Sequence, residues 1–349
     1  MTSDASTAFH YVDSTLRDGS HAVDHDLTPE FCREVVAGLV RGGVRNIEVG
    51  HGAGLGGSSL LFGRGRTENV DLFDAAVSVL GDATLFAMLI PGMGVMDELR
   101  EAVDHGVGGV RVTTHVTEAD VGLQHIALGR ELGLQTMGFL MMTHMASPEV
   151  VAEQARMMEE AGAQVVYLAD SAGHMLESEV TERVAAVRAV VSCDVGIHAH
   201  NNLGLAVADS LAAMRAGATF IDGSLAGLGA GAGNNPGDVF ATVTRRMGLD
   251  LGLDEFALTD VAEEIVRPAM TSPQIIDRAS LTIGYAGVYG SFLHKAIDAG
   301  RRYGVEPREI LLEAGRRRAV GGQEDMLEEI ALEFSERALA GSPAVTALR

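Results

Sequence analysis

Tryptophan is absent from this chain and lysine nearly so, with Lys295 the single lysine among 26 basic Lys and Arg residues. Imine chemistry requires a lysine amine, and Lys295 falls in a helical C-terminal pattern, so Schiff-base and pyridoxal mechanisms are disfavoured. Cysteine is scarce. Cys32 and Cys193 stand far apart without CxxC spacing, which suggests neither a disulfide framework nor a zinc knuckle and fits a reducing cytoplasm. No run of about 18 apolar residues is present to cross a bilayer. Positive charge is also short. A formal net charge of -22 repels phosphate backbones and anionic lipid, so nucleic acid and membrane surfaces are not expected partners. The first residues, Met1 to Ala8, lack the basic and apolar regions of a secretory signal and are expected to form a disordered lead-in.

What is present is rhythm. Short β-branched runs alternate with helical patterns from Phe9 to about Met247. Strands are expected at Tyr11 to Thr15, Arg45 to Val49, Thr84 to Leu89, Val110 to Thr114, Thr136 to Met141, Val165 to Ala169, Val195 to Ala199 and Phe220 to Ser224. Helical spacing marks Pro29 to Arg41, Met96 to His105, Glu149 to Ala161, Glu177 to Val191 and Ala206 to Ala216. Eight βα units favour an α/β fold of the (β/α)8 TIM-barrel type over an open doubly wound sheet. After Gly248 the rhythm stops. Helical patterns follow at Leu258 to Val266, Tyr289 to Tyr303, Arg308 to Arg317 and Glu324 to Ala338. The expected division is a catalytic barrel over 9–265, a C-terminal helical domain over 266–340 and a tail over 341–349.

Chemistry gathers at the strand ends. His198 and His200 are two apart at the end of the seventh strand and so project to one face. Asp18 follows the first strand, near the seventh in a closed barrel, so a His, His, Asp triangle is feasible. Two nitrogens and a carboxylate, completed by water or substrate, suit an open site for Mn²⁺, Mg²⁺ or Co²⁺. An isolated HxH is often only structural. Beside it, however, the segment STLRDGSH from Ser14 to His21 adds Arg17, a cation for a developing enolate, and His21, a proton acceptor. His51, His115 and His144 read either as groups that orient the metal ligands or as satisfied rim histidines, the structural role being the default, and the methionines of 137–145 as core filling. Arg316 to Arg318 reads as a solvated helix end or an interface rather than an anion site. The glycine-rich Gly227 to Asn234 follows strand eight and lacks the GxGxxG register, which argues against a dinucleotide site.

Long motifs carry a resemblance: TLRDGSHA at Thr15 to Ala22, IEVGHG at Ile47 to Gly52, THVTEAD at Thr114 to Asp120, GFLMMTHM at Gly138 to Met145, ADSAG at Ala169 to Gly173 and HAHNNLG at His198 to Gly204. It continues through SLAGLGAGAGN at Ser224 to Asn234, GYAGVYGSFL at Gly284 to Leu293 and VGGQEDM at Val320 to Met326. The chain resembles the 4-hydroxy-2-oxoacid aldolases of the DRE-TIM metallolyase superfamily over nearly its whole length. The resemblance implies that Asp18, His198 and His200 ligate Mn²⁺, or Co²⁺ or Mg²⁺, with His198 also bordering the substrate. It implies that Arg17 stabilises the enolate oxygen and that His21 takes the C4-hydroxyl proton. Tyr289 would line the aldehyde side and Ser171 would bind the 2-oxoacid carboxylate. It further implies cleavage to pyruvate or 2-oxobutyrate and an aldehyde, a place in aromatic hydrocarbon catabolism, oligomerisation and an acylating aldehyde dehydrogenase as partner.

Two departures bear on the aldehyde. Leu60, Leu61 and Phe62 replace the family's FNYG run, and Ala87 stands where leucine is usual, next to Leu89 on the same strand face. They suggest an acceptor larger than acetaldehyde. Because HAHNNLG sits close to the wider superfamily's HxHND pattern, the alternative enzyme is a Claisen-type acyl-CoA lyase or synthase. A further alternative is a catalytically silent scaffold for a dehydrogenase.

Overall fold

The computed structural model describes residues 9–340. The expected lead-in and tail lie outside this range. Eight parallel strands close in sequence order: β1 (His10–Leu16), β2 (Asn46–Val49), β3 (Thr84–Leu89), β4 (Gly109–His115), β5 (Gln135–Met141), β6 (Val165–Asp170), β7 (Asp194–Ala199) and β8 (Phe220–Gly223). Closure is made by β1, which pairs with both β2 and β8. The barrel helices are α1 (Pro29–Arg41), α2 (Asn69–Val77), α3 (Met96–Asp104), α4 (Leu123–Glu131), α5 (Pro148–Glu160), α6 (Glu177–Arg188), α7 (Ala206–Ala216) and α8 (Gly237–Arg246). Local chemistry explains their starts. Thr28 accepts the Phe31 amide at 3.2 Å and Ser147 the Val150 amide at 3.5 Å, each just before a helix-opening proline.

Strand alternation divides the core. Val12, Phe86, Met137, Phe139, Tyr167 and Phe220 pack together inside the barrel, and Met141 joins them, so the methionines of β5 do fill space. Glycine makes room for the rings: a Cβ on Gly196 would fall within 2.5 Å of Tyr167. The opposite strand faces, including Leu85, Ala87 and Leu89, form a larger cluster with helix residues such as Leu72, Phe73 and Leu99.

Beyond the barrel, α9 (Glu255–Val261) runs through a π-helical turn at Ala262–Val266 into the short α10 (Arg267–Ala269). There follow α11 (Arg278–Ala286), α12 (Phe292–Tyr303), α13 (Pro307–Arg316) and α14 (Asp325–Ala340), which share a separate core around Ile283, Phe292, Ile310 and Leu327. Helix α11 escapes the sequence patterns, although Asp277 caps it by accepting the Ser280 amide at 2.8 Å. The helix expected from Tyr289 begins only at Phe292, because Gly287 turns the chain at φ 64° and leaves Tyr289 in a connection. These helices meet the barrel's strand-end rim. His144 Nε2 lies 3.0 Å from the Gly287 carbonyl, His174 Nδ1 2.6 Å from that of Gly284, and Arg318 donates to the Met145 carbonyl. No helix among the described residues is long and apolar enough to cross a membrane.

Candidate active site

At the end of β1 the chain turns into a short 3-10 helix, Asp18–Val23, and Arg17 and Asp18 are buried at the rim. The end of β7 delivers His198 and His200, both buried. Donor atoms of Asp18, His198 and His200 lie within 4.8 Å of one another. Hydrogen bonding settles which nitrogens are free. His198 Nδ1 donates to Asp222 Oδ2 at 2.8 Å and His200 Nδ1 to the Asp170 carbonyl at 3.1 Å, so each ring presents Nε2 to the centre. His200 Nε2 stands 3.5 Å from Asp18 Oδ2. Burial alone would raise the Asp18 carboxyl, but Arg17 and the two imidazoles hold it well below the usual range. The three donors converge closely enough to be a possible metal site.

Arg17 is fixed on two sides. Its Nη1 donates to Asp18 Oδ1 at 2.7 Å and its Nε to Glu48 Oε2 at 2.8 Å, while Nη2 is buried without a partner. A buried donor left unpaired is costly, so Nη2 is free to donate to an incoming oxygen. Glu48 also accepts from Arg111 Nη1 at 3.0 Å, and Arg111 Nη2 grips both oxygens of Asp222 at 2.7 and 2.6 Å. Asn234 Nδ2 donates to Asp18 Oδ2 at 2.8 Å.

His21 sits on the open side of this group, solvent-facing, with its ring against Gly52 and edge-on to His25 at 5.0 Å. The protein packed around the ring and the nearby Arg17 charge hold its pKa below the ordinary value, which favours the neutral base. His25 stacks on His51 at 3.8 Å, and His51 Nε2 lies 3.1 Å from the Gly63 carbonyl, so both fasten the 54–66 loop beside His21. Leu60 and Leu61 at that loop's tip are exposed. Ser171 is half-buried at the rim, its Oγ accepting the Met142 amide at 3.0 Å. Tyr289 packs beside Phe292, where burial pushes its phenol up and Glu118 of the β4–α4 loop adds to the effect.

Ala87 and Leu89 are a correction. Both belong to the cluster that β3 shares with the helices, so neither borders the barrel interior. Strand alternation instead gives the inward face to Phe86 and Met88. Arg111 was overlooked, although a lone arginine within the apolar run of β4 signals an inward charge awaiting partners. His174 was overlooked as well, having no strand-end position to mark it.

Residues 8–265 match the HMGL-like family and residues 274–336 the DmpG-like communication domain. The 4-hydroxy-2-oxovalerate aldolase of Geobacillus genomosp. 3 is 51% identical over 328 residues, covering 94% of this chain and 97% of that protein. The 4-hydroxy-2-oxovalerate aldolase 4 of Rhodococcus jostii (strain RHA1) is 52% identical over 332 residues, covering 95% and 94%. Among solved structures, the carboxyl transferase domain of Rhizobium etli pyruvate carboxylase aligns with a TM-score of 0.79 at 16% identity, covering 95% of this chain and 61% of that one, a likeness of fold alone. The fold and site thus define a barrel lyase of the HMGL-like family. Within it, the chain belongs to the 4-hydroxy-2-oxovalerate aldolase family.

Proposed function

We propose that the chain is a divalent-metal-dependent aldolase that reversibly cleaves a 4-hydroxy-2-oxoacid to pyruvate or 2-oxobutyrate and an aldehyde. One observation supports this most strongly: three converging donors stand beside a buried guanidinium with an unpaired Nη2. Asp18, His198 and His200 would hold Mn²⁺, or Co²⁺ or Mg²⁺, and the cation supplies Lewis-acid polarisation of the 2-oxo group. Arg17 Nη2 donates to the oxygen on which charge grows as the C3–C4 electron pair moves to the 2-oxo side. His21 takes the C4-hydroxyl proton, leaving the aldehyde carbonyl. Ser171 holds the substrate carboxylate, His198 borders the substrate, and Tyr289 lines the aldehyde side from the helical region.

The same reading gives the barrel, 9–265, the chemistry and the helical region, 266–340, contact with an acylating aldehyde dehydrogenase; the communication-domain match supports this. We place the protein in the cytoplasm, in aromatic hydrocarbon catabolism, as a homo- or hetero-oligomer. Acceptors larger than acetaldehyde stay within the proposal, although Ala87 no longer argues for them. Incubation with pyruvate or 2-oxobutyrate and aldehydes of increasing size, followed by mass analysis, should yield 4-hydroxy-2-oxoacids. Thiol release from acyl-CoA instead would assign the Claisen reaction, and no product of either kind would assign a scaffold.

A further inference from the structure

We infer that Arg111 is a positioning residue for the aldol reaction, one buried guanidinium that orients both a metal-ligating imidazole and the enolate-stabilising Arg17. The inference rests on the roles proposed above for the Asp18, His198 and His200 site and for Arg17. Its ground is an unbroken chain of contacts from His198 to Asp222, Arg111, Glu48, Arg17 and Asp18. The chain begins and ends on a proposed metal ligand, and it draws one residue or neighbour from each of β7, β8, β4, β2 and β1. Arg111 is its centre. It is fully buried, and its guanidinium carbon lies 4.2 Å from the Tyr167 ring centroid and 4.9 Å from that of Phe139. Those rings restrict the guanidinium plane, and that plane fixes both carboxylates.

Stability gives no reason for this arrangement. A buried ion network is typically no more stable than an apolar filling of the same volume. The barrel floor around Arg111 is already aromatic and aliphatic, so an apolar side chain would pack there. Charge counting points the same way. Two guanidiniums face three carboxylates, Asp18, Glu48 and Asp222, leaving an excess negative charge that a divalent cation would offset. Each carboxylate has a distinct task. Asp222, held through both oxygens, keeps the His198 ring turned so that Nε2 faces the centre. Glu48 shares one oxygen between Arg111 and Arg17 Nε, which aims the unpaired Nη2 of Arg17. Arg111 hydrogen-bonds Glu48 and Asp222 and none of the three donor residues, so its effect passes through these two neighbours.

Two readouts separate positioning from bulk stability: Mn²⁺ affinity of metal-free protein by calorimetry, and pyruvate C3 deuterium exchange at saturating Mn²⁺. Asp222→Asn should weaken Mn²⁺ binding about 10- to 100-fold and leave saturated exchange nearly intact. Glu48→Gln should spare affinity and slow saturated exchange about 10²-fold, the scale of a misplaced or lost oxyanion donor. Arg111→Met should show both defects together. The triple variant Glu48→Gln, Arg111→Met, Asp222→Asn removes the charges jointly and should recover thermal stability with both defects retained. A folded Arg111→Met protein with wild-type affinity and exchange overturns the inference, as does a triple variant that regains both along with stability. Wild-type protein that neither binds Mn²⁺ nor exchanges pyruvate protons would overturn the functional reading and this inference with it.

Discussion

Gly52 offers a way to displace the proposed base without touching it. A Cβ at this position would stand 2.5 Å from His21 Cε1 and Nε2 and 2.7 Å from Cδ2. Ordinary carbon contacts need about 3.5–4.0 Å, so Gly52→Ala must push the ring roughly 1 Å or more. The backbone at Gly52 lies outside the left-handed region, so alanine brings no dihedral strain. His21 faces solvent, and its ring can yield without opening the core. A misplacement of about 1 Å costs on the order of 10²-fold, within the 10²- to 10⁴-fold range of general-base catalysis. Gly52→Ala should therefore lower kcat/KM for cleavage of 4-hydroxy-2-oxovalerate about 10²-fold, with Mn²⁺ affinity and pyruvate C3 exchange retained. Steady-state cleavage, calorimetry and NMR exchange on one preparation measure all three. Unchanged cleavage would refute the role given to His21, and equal loss of exchange would refute its separation from Arg17.

Arg17→Ala, by contrast, should impair pyruvate exchange and cleavage together by about 10²- to 10³-fold, and the exchange rate measured at saturating Mn²⁺ checks this. Ala87→Leu should overpack the β3–helix cluster and cost about 1–3 kcal/mol in denaturant unfolding while leaving the ranking of aldehydes unchanged. Burial lowers the His25 and His51 imidazoles from 6.5 to about 4, so the unfolded chain takes up protons that the folded stack refuses. Their contribution is present above pH 6.5 and is lost as pH falls towards 4, which thermal melts across that window should record, with a smaller loss in a His25→Phe variant.

Much of this architecture was legible because parallel strands, buried on both faces, read as short apolar runs between helices. The helix over Pro29–Arg41 and the strand over Thr84–Leu89 agree with the patterns to the residue. The proposed metal triangle was legible for a similar reason, since HxH at a strand end needs only the two-residue period and barrel closure. Face assignment on β3 was harder. Phe86 and Ala87 are both apolar, and in a barrel both faces of a strand are buried, so hydrophobicity does not say which one points inward. Arg111 was missed because its meaning lies in partners 63 and 111 residues away, Glu48 and Asp222, which strand order alone brings together. Helix α11 was hidden by the glycines that follow it. Its connection to the barrel runs through side chain to carbonyl bonds from His144 and His174, which leave no periodic trace.

Asp18, His198 and His200 are proposed to hold a divalent cation required for carbon–carbon cleavage, and retro-aldol turnover of 4-hydroxy-2-oxovalerate across a Mn²⁺ titration of verified metal-free protein measures this directly. Turnover should be absent without metal, rise to a plateau at one Mn²⁺ per chain, and fail to rise in His200→Ala at the same concentrations. Full turnover by the metal-free protein, or an unaltered titration in His200→Ala, would rule out a metal held by these three residues.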